Sequence, residues 1–229
     1  MRKANVVALL VACSACQQNA STAPAAKRPS AVASAAVVQP KGKYAPRDEC
    51  AQLPGAADFR EGLVEAVQLR DAAALAELAD PAIKLDFGGG GGVAQLKQKL
   101  ADPKLDLWRD LAQMLTLGCA ADGHGGLIIP WLFSQNLGDI DPSAAVLVTG
   151  EDVPILSAPR ASARPLVTLS WELVNAPGFD RSQAFQRISM PGKDDGYIAT
   201  DKLRRVLDYR LLASREGRQW KITALVAGD

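Results

Sequence analysis

From residue 47 onward the apolar positions fall first at helical spacing and later in alternation. Phe59, Leu63, Ala66 and Val67 recur at intervals of three and four, with Asp58 placed to cap the helix they imply. Asp71 can cap a second helix carrying Leu75, Leu78 and Ala79, which should end before Asp80-Pro81. Residues 83–87 alternate like a short strand, and Val93, Leu96 and Leu100 mark a third short helix. Asp102-Pro103 reads as a cap followed by a proline in the first helical position. The helix it opens carries Leu107, Trp108, Leu111, Met114 and Leu115 on its apolar face. Gly118 stands where a left-handed C-terminal cap belongs.

Beyond about residue 144 the period shortens to two. Residues 144–149, 153–156, 166–174, 185–190 and 196–199 are strand-like, and Pro191-Gly192 marks a turn. The strongest hairpin signal is the last: residues 209–214, a turn at Glu216-Gly217, then residues 219–226. In that final strand Trp220, Ile222, Ala224 and Val226 should share one face, with Lys221 and Thr223 on the other. The expected fold class is α+β: a mainly helical region over residues 47–140, then a small β-barrel over 141–229 that ends in this hairpin.

Composition changes this picture mostly at the N-terminus. The chain has 229 residues, 48% of them hydrophobic and 22% charged, which is ordinary for a globular protein. Six of its basic residues and none of its acids lie in residues 1–46, so the rest carries 20 bases against 25 acids, a net −5. A mildly acidic body has no electrostatic footprint for nucleic acid. Met1-Arg2-Lys3 followed by a short apolar run to Ala12 fits a secretory signal over residues 1–12. The run is too short to span a bilayer, which needs about 20 apolar residues. Residues 13–46 are rich in Ala, Ser and Pro, with few large side chains to bury, and read as a disordered tether.

Leu10-Val11-Ala12-Cys13 resembles the lipobox of bacterial lipoproteins. The resemblance implies cleavage before Cys13 and acylation of its thiol, palmitate included. Several acyl chains together make a stable anchor where one would not. Ser14 follows the lipid site; in Gram-negative lipoproteins a residue other than Asp there implies passage to the outer membrane. The expected location is therefore the periplasm, with the membrane as a partner through the anchor.

A second resemblance lies further on. Val148-Thr149-Gly150-Glu151-Asp152-Val153-Pro154-Ile155-Leu156-Ser157-Ala158-Pro159 resembles the opening of bacterial SH3-like domains. Gly196-Tyr197-Ile198 with Leu203 is similar to their closing segment. Pro154 and Leu156 depart from the Asn and Arg common there, and Phe185 stands near a usual Trp. The likeness spans about residues 145–205 and implies a small binding barrel, often for cell-wall peptides or proteins, with no catalytic residues to carry over. Tyr197 and Tyr209 are its ligand-binding candidates.

Other chemistry is sparse. The glycine run at 88–92 lacks the Lys-Ser/Thr of a phosphate loop and reads as a turn before a helix. Cys119 and His124 lack the spacing of a peptidase pair; Cys50 and Cys119 instead are the candidates for a disulfide in an oxidising compartment. Asp139, Asp141, Asp194 and Asp195 read as solvated turns, and no cofactor or metal is expected. Trp131 and Trp171 read as packing residues. The expected function is a lipid-anchored, non-catalytic envelope protein binding peptide, peptidoglycan or an envelope protein. A peptidoglycan hydrolase using carboxylates, and a structural subunit of an envelope complex, are the alternatives.

Overall fold

The computed structural model describes residues 40–138, 140–190, 192 and 195–228. Cys13, the signal segment and the tether up to residue 39 lie outside the described residues, as do Asp139 and Asp194.

Helix α1, Ala56–Gln68, buries Phe59, Leu63, Ala66 and Val67, as the spacing predicts. Its N-cap is Gly55 rather than Asp58, which sits in the first turn, where a carboxylate still complements the helix dipole. Asp71 caps α2, Ala72–Leu78, by accepting from the amides of Ala73 and Ala74. Strand β1, Ala79–Lys84, follows at once, and α3, Val93–Ala101, buries Leu96 and Leu100. Helix α4, Leu107–Leu115, starts a turn later than Asp102-Pro103 predicts, because Asp102 closes α3 and spends its carboxylate on the Lys104 amide. Gly118 is left-handed (φ 76°); a side chain there would collide with the Arg47 carbonyl.

Short strands β2, Ala120–Ala121, and β3, Leu127–Ile129, come next. Seven more strands follow: β4 Ala145–Val148, β5 Val153–Leu156, β6 Pro165–Leu169, β7 Leu173–Asn175, β8 Phe185–Ile188, β9 Gly196–Ala199 and β10 Leu203–Arg205. The chain ends in β11, Arg210–Glu216, and β12, Gln219–Val226. The described chain is thus mixed α+β, and its sheets are ordered β1-β12-β11-β3-β2, β10-β4-β7 and β6-β5-β9-β8. None of the three closes into a barrel.

Three expectations are corrected by this topology. The stretch 166–174 is two strands in different sheets, because Trp171 takes a positive φ (50°) and turns the chain between them. The C-terminal hairpin pairs with β3 and, in parallel, with β1, and has no pairing with the strands of residues 145–205. In β12 the register skips Thr223, so Leu225 rather than Ala224 joins Trp220 and Ile222 in the core beneath the helices. A bulge shifts the alternation by one and sends the next residue to the opposite face.

Three cores result. The helices and the five-stranded sheet share the largest. A second fills the space between the other two sheets, with Val146, Ile155, Ile188 and Ile198. The third covers the outer face of β4 with Tyr44, Leu132 and Val206 around Leu147. The unbroken apolar run of β4 is therefore buried on both faces, as such runs require. Tyr44, within the stretch read as tether, is buried, and its amide donates to the Trp171 carbonyl at 2.9 Å. Its ring supplies apolar area that the preceding small residues lack.

Candidate functional site

A cleft of about 580 Å³ opens where α4 meets the β7–β8 loop and the connections flanking β10. Asp110, Phe179, Arg181, Asp201, Leu203 and Asp208 are among its lining residues. The volume lies within the range of roughly 300–1,000 Å³ common for small-ligand pockets.

Asp110 is placed by helical periodicity. Leu107, Asp110, Leu111 and Met114 are the buried residues of α4, so the carboxylate occupies a position on the apolar stripe. Its side chain is only 4% exposed. Arg181 comes from the β7–β8 loop, whose backbone is pinned by a buried glutamine. Gln186 accepts from the Asp180 amide at 3.1 Å and donates to the Asp180 carbonyl at 2.6 Å and the Thr200 hydroxyl at 2.9 Å. The amide and hydroxyl of Ser182 both donate to the Asp180 carboxylate, which holds that carboxyl below its usual range.

The Arg181 guanidinium then bridges two carboxylates. Nη1 donates to Oδ1 and Oδ2 of Asp110 at 3.1 and 3.3 Å, and Nη2 donates to Oδ2 of Asp208. Burial works to lower the Arg181 pKa, but Asp208 and Asp110 outweigh it, and the group sits above its ordinary value. Arg204 lies nearby and is buried. Its Nη2 donates to the Tyr209 carbonyl, and its Nη1 has no hydrogen-bond partner among the described residues. Burial lowers its pKa, against the pull of Asp208 and Asp110. Arg109, 59% exposed, stands at the rim between Asp106 at 3.1 Å and Asp110 at 3.5 Å. Charges so deeply set are costly unless paired, and their clustering in a cleft makes this the candidate site.

The sequence candidates are distributed differently. Tyr209 lies beside this cluster: burial first, then Asp110 and Asp208, raise its phenol pKa. Tyr197 is on β9, paired with Leu156 and Arg187, outside the cleft lining. Cys50 and Cys119 form a disulfide, with Cα atoms 5.7 Å apart, so Cys119 offers no thiolate to His124, which lies exposed in the β2–β3 turn. In the glycine loop Asp86 accepts from the amides of Gly88 at 2.9 Å and Gly90 at 2.7 Å, a turn folded on its own carboxylate. Trp131 is buried, its indole donating to Glu49 at 2.7 Å. Asp141 likewise accepts from the Ser143 amide. No group of three or more potential metal ligands occurs among the described residues.

Asp110, Arg181, Arg204 and Asp208 escape the sequence reading. For Asp110 a signal was present: its spacing of three from Leu107 and four from Met114 puts a charge on an apolar face. The other three lie in a loop, a three-residue strand and a turn, where no period exists to violate. No protein-family model, curated protein or solved structure matches the chain.

Proposed function

We propose that this is an exported protein, acylated at Cys13 and held at the cell envelope, whose folded body binds a ligand without transforming it. The Cys50–Cys119 disulfide carries the reading. Stable disulfides belong to oxidising compartments, and the Leu10–Cys13 motif supplies the route to one. Support for binding over catalysis comes from the cleft: both deeply placed carboxylates pair with Arg181, an arrangement suited to holding charge in place. The seven short strands of residues 145–205 pack as two antiparallel sheets over a shared apolar core, which supports an SH3-like binding module in that stretch. Peptide, a peptidoglycan stem or an envelope protein is the ligand class proposed.

Mass spectrometry of the mature chain from membranes tests the placement, and sedimentation with purified sacculi tests the role. An acylated Cys13 at the N-terminus and retention on sacculi without released fragments are expected. A retained Met1 overturns the anchor, and fragment release that Asp110→Asn abolishes makes the protein a hydrolase.

A further inference from the structure

We propose that the cleft is a cation site, in which Asp110 and Asp208 receive an ammonium or guanidinium group on an apolar stem and Arg181 is the internal stand-in that such a ligand displaces. The inference rests on reading the cleft as a binding site and names its ligand chemistry.

The two carboxylates come from separate elements, α4 and the β10–β11 connection, and their side chains are 4% and 10% exposed. The cation between them does not come from the wall behind. Buried Arg204 forms no ion pair among the described residues and donates to a carbonyl instead. It comes from a loop whose residues 180–184 are exposed, on a side chain 42% exposed. Arg181 can therefore swing to water by side-chain rotation alone, while Asp110, fixed in a helix packed on the core, cannot follow. With Arg181 withdrawn, the two buried carboxylates Asp110 and Asp208 lose their shared partner; Arg109 stays at the rim beside Asp110, Arg204 is buried nearby, and the exposed Asp201 pairs with Lys202. An anion would meet repulsion there, and a neutral ligand would leave the buried carboxylates unpaired. Phe179 and Leu203 supply apolar wall for a stem. Because each binding event must break the Arg181 pairs, the native chain binds more weakly than one without that side chain.

The test titrates the purified full-length chain with butylguanidinium and butylammonium, using butyrate and butanol as matched controls, by calorimetry. Both cations should bind and both controls should not. Asp110→Asn should weaken binding and Arg181→Ala tighten it, each by about tenfold or more. In the native chain, the NMR signal of the Arg181 Nε–H should move at saturation to the position of a solvated arginine. Should Arg181→Ala unfold, Arg181→Lys, which keeps the charge but loses the two-carboxylate fork, is expected to tighten binding as well. Spermidine and acetyl-Ala-Lys-Ala-amide then separate a free polyamine from a peptide side chain, and binding of either supports the proposal. Butyrate or butanol binding as tightly as the cations overturns it while leaving the cleft a binding site. No binding of any probe to the native chain and to a folded Arg181 variant overturns both.

Discussion

Tyr209 shows how a single side chain reports on the buried charges around it. Burial disfavours its phenolate, and the neighbouring Asp110 and Asp208 disfavour it further, with Arg181 opposing. The folded state thus binds the phenolic proton more tightly than the unfolded state does. That contribution to stability is fully present below the ordinary pKa of 10.0 and is lost as pH rises through the folded value. Phenolate absorbance during alkaline titration should show a step above pH 10.0 that Tyr209→Phe removes. A difference spectrum unchanged by Tyr209→Phe would place the ring away from the cluster. The aromatic itself was visible in the sequence as a ligand candidate, but its charged neighbours lie 28 and 99 positions away, or adjacent in sequence, and no local pattern joins them.

At the scale of elements, helices α1 to α3 were legible because each has a periodic apolar face, and α2 and its cap show the physics most simply. Seven residues are too few for a helix to persist alone, since nucleation costs more than one turn returns. Asp71 satisfies two of the orphan amides, and Leu75 and Ala76 bury one face. Asp71→Ala should lower stability by about 1 kcal/mol in urea denaturation, with Asp71→Asn retaining most of it. An Asp71→Ala midpoint equal to that of the parent would show that packing alone holds α2. Strand β12 was legible in extent but not in facing. The skipped residue Thr223 is set by how β12 meets β11 and β1 together, and alternation read from one strand has no means of locating it.

For the whole molecule the decisive pairings are distant ones. Strand β12 lies between β11 and β1, so residues 219–226 complete a sheet begun at residue 79. The disulfide works in the same direction, closing a loop across 69 positions between α1's approach and the start of β2. Chain-entropy reasoning assigns such a closure about 4 kcal/mol. The double variant Cys50→Ala with Cys119→Ala should therefore unfold at markedly lower denaturant, by roughly that amount in an equilibrium titration. A loss below about 1 kcal/mol would mean that the unfolded chain is already compact around these residues.

What the sequence determined by itself was local: helical and strand periods, the cap at Asp71, a glycine at 118 in the left-handed region, and the cysteine pair eligible to bridge. These follow from interactions among residues a few positions apart, whose geometry the period alone dictates. Only the tertiary structure decided which strands pair, where β12 shifts its facing, and that Asp110, Arg181 and Asp208 meet in one cleft. Those outcomes depend on packing among segments separated by tens of residues, and the energy that selects them is absent from any single segment.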